Sequence, residues 1–91
     1  MNEIITLVDN GTRREVFAKQ LSIGTAEFYQ AAATEHSPEF KFVLADYLDY
    51  RGETFVKYEG DLFRIMRTYR TGQQIELTLT RASAEEAELY G

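Results

Sequence analysis

Hydrophobic and polar residues alternate along much of this chain, and most of the alternating runs end at a turn signal. In the clearest run, Ile75, Leu77 and Leu79 alternate with polar side chains. A period of two is typical of a strand that turns one face to a core. We therefore predict six strands, over residues 3–8, 15–23, 39–48, 53–58, 62–69 and 74–80.

The same alternation predicts which side chains share a strand face. These groups are Ile5 and Leu7 in the first strand, Phe17, Leu21 and Ile23 in the second, Phe40, Phe42 and Leu44 in the third, and Phe63, Ile65 and Tyr69 in the fifth. Carried along the C-terminal hairpin, the alternation puts Arg64 and Arg70 on one face and Arg67 on the other.

Turn signals separate the strands, including Asn10-Gly11 and Glu59-Gly60. Six short strands joined by hairpin turns predict a single mainly β domain, either a small barrel or a sandwich. A barrel is favoured because closure removes the strand edges that promote aggregation. The predicted fold is a small six-stranded β-barrel with one short helix inserted between strands 2 and 3.

That helix is predicted over residues 24–33, where alternation stops and helix-forming residues dominate. Gly24 or Thr25 can cap it, and Phe28 and Ala32 share one of its faces. Alternation stops again after Arg81. We therefore assign residues 1–81 to the barrel and residues 82–91 to an acidic C-terminal tail, frayed or a short helix until a partner orders it.

Composition narrows the possible functions. The chain has 91 residues and a net charge of −5, with ten basic and fifteen acidic residues, so it does not bind phosphate backbones as a whole. The chain has no cysteine, which excludes disulfides and thiolate metal sites and indicates the cytoplasm for so short a domain. We find no segment in residues 1–20 that fits a signal peptide or a membrane span.

Catalytic chemistry has little support in the sequence. His36 is the sole histidine, and one histidine without cysteine leaves a transition-metal site incomplete. Several carboxylates cluster around two turns, where acidic residues are common for local reasons. They are Asp46, Asp49, Glu53, Glu59 and Asp61. We predict no enzymatic activity, no cofactor and no metal.

The C-terminal hairpin carries positive charge beside aromatic residues. Its basic residues are Lys57, Arg64, Arg67, Arg70 and Arg81. With Phe63 and Tyr69 they could stack single-stranded bases, as oligonucleotide-binding barrels do. The alternative is a solvated face, or arginines that pair with acidic groups on another subunit.

Three segments, in order, resemble the phage head–tail joining family, also called head-closure or stopper proteins. The first runs from Val16-Phe17-Ala18 through Ser22-Ile23-Gly24-Thr25-Ala26-Glu27-Phe28-Tyr29-Gln30-Ala31. The second is Pro38-Glu39-Phe40-Lys41-Phe42, and the third is Tyr58 to Tyr69, ending in Arg67-Thr68-Tyr69. The chain departs from the family in a short connection at residues 10–14 and in its acidic tail.

The resemblance implies a structural virion subunit that works in a ring, usually of twelve copies. A single subunit can remain a monomer in solution, because a head-to-tail ring needs its template. Such a ring docks beneath the adaptor and portal complex, closes the DNA exit channel, and receives tail-completion or tail-tube proteins below. DNA passes through it without specific binding, and assembly takes place in the bacterial host cytoplasm. The candidate gating residues are Ala32, Ala33, Thr34, Glu35, His36, Ser37, Pro38 and Glu39.

Arg64 and Arg70 are the candidate inter-subunit contacts, because identical acidic subunits repel one another and a basic hairpin facing an acidic neighbour offsets that repulsion. Two other functions remain open. One is a different head–tail connector or tail-completion subunit, and the other is a single-strand nucleic-acid-binding barrel.

Overall fold

The computed structural model describes residues 2–22 and 38–90. The strands are β1 (Asn2–Asp9), β2 (Thr12–Leu21), β3 (Phe40–Leu44), β4 (Phe55–Tyr58), β5 (Asp61–Thr71) and β6 (Gln74–Arg81). A short 3-10 helix spans Tyr47–Asp49, and an α-helix, α1, spans Ala84–Tyr90. The helix predicted over residues 24–33 lies outside the described residues, and the α-helix within them is C-terminal.

The six strands form a closed antiparallel barrel in the order β1-β2-β3-β6-β5-β4, and pairing between β1 and β4 closes it. This confirms the mainly β class and the six-stranded barrel. The connection of residues 22–39 leaves β2 and enters β3 at one end of the barrel, which we call the 22–39 end. Residues 45–54 connect β3 to β4 at the opposite end, the 45–54 end.

The core lies inside the barrel and is built from inward faces of the strands. Ile5 and Leu7 are fully buried, as are Phe42 and Leu44, so the faces predicted for the first and third strands are confirmed. Aromatic rings fill the space between them. Phe40 meets Phe63 edge-to-face with 5.1 Å between ring centroids, an arrangement that ring quadrupoles favour. A packed core of this kind leaves no passage through the barrel itself.

Phe17 and Leu21 share one face of β2, as predicted, but this face lies on the outer wall of the barrel. Phe17 is 67% exposed, whereas Ala18 is 2% exposed and faces the core. Side chains alternate between the two faces of a strand, so the positions on either side of Phe17 face the core. The inward positions hold Arg14, Val16 and the small Ala18, which together make a weaker apolar signal than Phe17 and Leu21. Ile23 lies outside the described residues.

The predicted third strand is too long. β3 ends at Leu44, and the chain then turns into the 3-10 helix. The Asp46 side chain caps this helix by accepting a hydrogen bond from Leu48 N at 2.9 Å. Aspartate is a preferred helix cap because its carboxylate satisfies an N–H that would otherwise be unpaired.

A bulge interrupts β5 and reverses the faces of its second half. Ile65 pairs with Leu79, but the next paired residue is Arg67, opposite Thr78, so Met66 is the extra residue. The prediction that Tyr69 shares a face with Phe63 and Ile65 is therefore wrong: Tyr69 pairs with Glu76 on the outer wall and is 58% exposed.

The C-terminal helix begins with a capping box. Glu86 N donates to Ser83 Oγ at 3.1 Å, and Ser83 N donates to Glu86 Oε1 at 3.0 Å. These two bonds satisfy backbone donors that a helix start leaves open. Among the described residues, no helix combines the length and apolar character needed to cross a membrane.

Candidate interaction surfaces on the barrel

The bulge in β5 sorts its arginines differently from the sequence prediction. Arg64 pairs with Thr80 and Arg67 with Thr78, so both point to the outer wall, whereas Arg70 pairs with Ile75 on the inward face. Arg64 and Arg70, predicted to share a face, lie on opposite faces, because Met66 adds one residue between them. The outer face of β5 instead presents Arg64, Arg67 and Tyr69 together.

Both candidate contact arginines also have partners within the chain. Arg64 Nε lies 3.8 Å from Glu86 Oε2 of α1. The Arg70 guanidinium carbon lies 3.4 Å from the centroid of the Tyr47 ring, and Arg70 Nε donates to Gly72 O at 3.2 Å. Cation–π contact of this kind holds Arg70 against the 3-10 helix at the 45–54 end.

Of the candidate gating residues, only Pro38 and Glu39 lie within the described part of the chain. Glu39 N donates to Leu79 O at 2.7 Å, and its carboxylate lies 3.8 Å from Arg81 Nε. Arg81 Nη1 also lies 3.9 Å from Asp61 Oδ2. Arg81 therefore joins the end of the β2–β3 connection to the first residue of β5. Residues 32–37, including His36, lie outside the described residues.

At the 45–54 end, a buried ion pair joins β2 to the loop before β4. Glu53 is 4% exposed and accepts hydrogen bonds from Arg14 Nε at 3.0 Å and from Arg14 Nη2 at 2.5 Å. Arg51 N donates to the other carboxylate oxygen at 2.7 Å. Arg14 Nη2 also donates to Asp49 O at 2.8 Å. These bonds hold the loop across the barrel end.

The surroundings of Glu53 set its charge. Burial raises the pKa of Glu53, but the hydrogen bonds from Arg14 and from the Arg51 N–H outweigh that effect and hold the pKa below its ordinary value. Burial also raises the pKa of Tyr50, and the Glu53 carboxylate adds to the rise. The sequence pattern groups Glu53 with the turn carboxylates and does not reveal this pair, because Arg14 and Glu53 lie 39 positions apart.

A second buried polar contact lies near the 22–39 end. Tyr58 Oη donates to Glu3 Oε1 at 2.5 Å, and Tyr58 is 8% exposed. The hydrogen bond to Glu3 raises the pKa of Tyr58, and burial adds to the rise, so the phenol stays protonated. The described residues contain no buried side-chain nitrogen or oxygen atom that lacks a hydrogen-bond partner. These buried polar groups are therefore hydrogen-bonded, and they stabilise the two ends of the barrel.

An apolar patch on the outer wall is covered by the chain's own C-terminus. This covered patch consists of Val8, Phe55 and Leu62, each no more than 6% exposed, with Ala82 and Tyr90 packed against it. The Tyr90 ring stacks on Phe55 with 4.9 Å between centroids. Arg13 Nη2 donates to Tyr90 O at 2.9 Å, which holds the helix end in place.

A second apolar patch on the outer wall is exposed. Ile4 and Phe17 pair across β1 and β2 and are 54% and 67% exposed. We call this pair the exposed patch. Shallow grooves flank Phe17, one lined by Ile4, Glu15 and Val16 and the other by residues of β2, β3 and β6. An aromatic side chain this exposed is a common anchor in protein interfaces.

Polar surfaces that could hold a metal or a ligand are limited in the described part of the chain. Within residues 2–22 and 38–90, no three His, Cys, Asp or Glu side chains lie close enough to hold a metal ion. A groove of about 380 Å³ runs between the β1–β2 turn and the end of α1, and its lining includes Asp9, Arg13 and Tyr90. It contains the Arg13–Tyr90 contact, which holds α1 on the barrel wall.

No family model matches this chain, and no curated protein or solved structure matches it.

Proposed function

We propose that this chain is a structural virion connector, a head-closure subunit that joins the portal and adaptor complex of a tailed phage to the tail. The observation that carries the proposal is a closed six-stranded barrel whose β2–β3 connection, residues 22–39, leaves and re-enters at one end. The resembling segments fall in β2, in the β2–β3 connection and β3, and in the β4–β5 hairpin. No catalytic chemistry is needed for this role.

The packed barrel interior supports a particular arrangement of the channel. Phe42, Leu44 and Leu77 are fully buried inside the barrel, so DNA cannot pass through a single subunit. A channel must therefore lie between copies, on the axis of a ring. In the proposal, residues 32–39 of several copies close that channel, and the short helix predicted over residues 24–33 forms part of the same connection.

The contacts of Glu39 support a fixed base for such a gate. Glu39 is tied to β6 through its backbone and to Arg81 through its carboxylate, and Arg81 also faces Asp61. A moving segment needs a rigid point from which to move. The backbone hydrogen bond from Glu39 N to Leu79 O would supply it, and the exposed ion pairs of Arg81 add little to it.

The net charge of −5 also fits a conduit for DNA. A ring multiplies this charge into an acidic collar. Protein binding to DNA is driven largely by the release of counterions when basic side chains meet phosphates. An acidic channel wall therefore lets DNA slide without adhering, and closure is steric.

The test is to delete the coding sequence from a phage or prophage that carries it and to examine the particles by electron microscopy. We expect tailless heads that have lost their DNA, and supplying the wild-type chain from a plasmid should restore filled, tailed particles. Filled and tailed particles from the deletion would refute the proposal. Purified chain should also bind portal and adaptor complexes before any tail is present, which separates a stopper from a tail-completion subunit.

A single-strand nucleic-acid-binding barrel is the second candidate, and one observation favours it. The β5 bulge gathers Arg64, Arg67 and Tyr69 on one outer face, a combination that can follow a backbone and stack a base. Phe63, which the sequence offered as a stacking ring, is 2% exposed and faces the core. Arg64 also lies against Glu86 of α1. Both facts reduce the available surface.

An oligonucleotide titration at two salt concentrations separates the candidates. A nucleic-acid-binding barrel should bind with submillimolar affinity that weakens as salt rises, and Tyr69→Ser should reduce the affinity. A head-closure subunit should show no such binding. Glu85→Ser, on the exposed side of α1, serves as the matched surface control.

A further inference from the structure

One edge of β2 is only partly covered by its neighbour in the barrel. β1 pairs along the first edge over residues 12–19, whereas β3 pairs along the second edge only over residues 19–21. β3 then ends, and the chain turns into the 3-10 helix. Among the strands that the structure describes, none pairs with the second edge over residues 12–18. We call the part of this edge at residues 15–17 the open edge.

The register of the β1–β2 hairpin determines which backbone groups point to the open edge. Asp9 and Thr12 flank the two-residue turn and pair with each other, and residues in that position are hydrogen-bonded to each other. Hydrogen-bonded positions alternate along an antiparallel pair, so the N–H and C=O groups of Val16 point to β1, while those of Glu15 and Phe17 point to the open edge. Outside the strand pairing, no backbone hydrogen bond among the described residues involves Glu15 or Phe17.

The surroundings of the open edge leave room for an added strand. A shallow groove of about 140 Å³ lies beside Phe17, and its lining includes Val43, Ala45 and Gln74. The Phe17 side chain is 67% exposed, and Glu15 is exposed as well. The open edge therefore presents two backbone donors, two backbone acceptors, an apolar side chain and a negative charge to the same space.

We propose that the open edge binds an extended segment of a partner protein, which adds to the barrel as a strand antiparallel to β2. In strand addition, main-chain hydrogen bonds supply the affinity and alternate side chains supply the specificity. The direction is antiparallel because the added strand continues the line of β3, which itself runs antiparallel to β2. This interaction goes beyond the proposed connector role and does not depend on it.

Cross-strand pairing specifies the chemistry of the partner segment. The residues directly opposite Glu15 and Phe17 lie on the same outer face as these two side chains. Opposite charges stabilise such a pair, as does an apolar side chain against an aromatic ring. We therefore expect a β-branched or aromatic residue opposite Phe17 and, two positions later in the segment, a lysine or arginine opposite Glu15.

Two β2 strands do not pair well with each other along this edge. In a two-fold antiparallel pairing centred on Glu15, two glutamates lie opposite each other. With Glu15 opposite Phe17 of the second copy, Arg13 lies opposite Lys19 of that copy, and like charges directly opposite destabilise a pairing. With Phe17 opposite Phe17, Glu15 would need the edge of Lys19 that β3 already occupies. A segment of a different protein is therefore the occupant that the charges favour.

Amide exchange in the isolated chain tests the open edge directly. The amide hydrogens of Glu15 and Phe17 should exchange with solvent much faster than that of Val16, whose N–H points to β1. Nuclear magnetic resonance of the isotope-labelled protein measures all three amides. Equal protection of the three would mean that the edge is covered, which overturns the proposal. Protection of Glu15 and Phe17 that grows with protein concentration would make a second copy the occupant and would overturn it too.

A short capped peptide is the probe for strand addition. In this peptide threonine alternates with isoleucine and then lysine, so that isoleucine can lie opposite Phe17 and lysine opposite Glu15. Its addition should shift the resonances of these two residues and slow the exchange of their amides.

The matched control is the same peptide with N-methyl groups on the isoleucine and lysine nitrogens. Methylation removes the N–H groups that face the edge but keeps both side chains, so this peptide should not bind. If the first peptide causes no shifts at millimolar concentration, or if both peptides cause the same shifts, strand addition is refuted.

Charge reversal tests the register. Glu15→Lys should weaken binding of the lysine peptide by about two- to fivefold. A peptide with glutamate in place of lysine should bind this variant better than it binds wild type. Glu88→Lys, at an exposed position of α1, is the matched control and should leave binding unchanged. Binding that ignores the reversal at Glu15 would contradict a basic residue opposite it.

These results are separable from the test of the proposed function, because they come from the isolated chain rather than from particles. Specific binding of the peptide together with filled, tailed particles from the gene deletion would keep the open edge and reject the connector role. Leaking heads from the deletion together with protected amides at Glu15 and Phe17 would keep the connector role and reject the open edge.

Discussion

The covered patch and the exposed patch lie on the same outer wall and have similar chemistry, but only one is shielded from water. Val8, Phe55 and Leu62 are each at most 6% exposed because Ala82 and Tyr90 pack over them. Ile4 and Phe17 are more than half exposed. The chain's own helix therefore stabilises the first patch, while the second contributes little to the stability of a single subunit and is available to a partner.

The comparison separates apolar surface that serves folding from apolar surface that serves assembly. A helix as short as α1 does not persist alone in water, so its packing on Phe55 must hold it. Phe17 holds no helix in place, and its side chain projects between two shallow grooves. Removing side chains from each patch should therefore have different consequences.

The largest difference should come from truncating one phenylalanine in each patch. Phe55→Ala should lower the free energy of unfolding by about 3 kcal/mol or more, because it empties a buried site and releases Tyr90. Phe17→Ala should change it by no more than about 0.5 kcal/mol. Urea denaturation followed by circular dichroism measures both. Equal losses would mean that Phe17 is covered in solution.

Glu53 gives a reference point away from both patches. Glu53→Gln should lower the free energy of unfolding by about 1–3 kcal/mol, because it removes the charge that Arg14 was paired with. Since the pKa of Glu53 is lowered in the folded state, wild type keeps this stabilisation above its ordinary pKa of 4.5 and loses it as pH falls through the folded value. The variant should lose less stability between pH 5 and pH 3, as urea midpoints would record.

If wild type and Glu53→Gln lost the same stability between pH 5 and pH 3, Glu53 would not be the origin of the acid sensitivity. Glu88→Gln on the exposed side of α1 is the matched control, because it removes one carboxylate without touching the barrel end. Its acid profile should follow that of wild type.

Tyr90→Ala should uncover the covered patch without emptying the barrel core. The lost ring stack with Phe55 should lower stability by about 1 kcal/mol. Binding of an apolar dye should rise, because Val8, Phe55 and Leu62 become exposed, and α1 amides should exchange faster. Leu89→Ala, at a 74% exposed position of the same helix, should leave dye binding unchanged. A similar rise from both variants would show that the dye reports helix loss rather than the patch.

The smallest effect should come from the helix cap. Ser83→Ala removes the oxygen that accepts from Glu86 N and should lower stability by about 0.5–1 kcal/mol. Amide exchange in α1 should speed up while β-strand amides are unaffected. Unchanged exchange would mean that the Tyr90 contacts hold the helix without its cap.

Prediction from sequence succeeded where one strand face is apolar and the other polar. In β6, Ile75, Leu77 and Leu79 stand between polar residues, and all three are buried as alternation requires. In β2 it grouped Phe17 with Leu21 correctly but did not say which side of the barrel their face takes, and the structure puts that face outside and Ala18 inside. Side chains on both faces of a strand repeat with the same period of two. When both faces carry apolar residues, the period alone does not say which face points to the core.

Local chemistry was enough to specify the number of strands and the tight Glu59-Gly60 turn, because each depends on residues a few positions apart. The Arg14–Glu53 pair, the bulge at Met66 and the shielding of Phe55 by Tyr90 required the folded chain. Each joins positions far apart along the sequence, or shifts one strand against its neighbour, and only closure of the barrel brings those groups into contact.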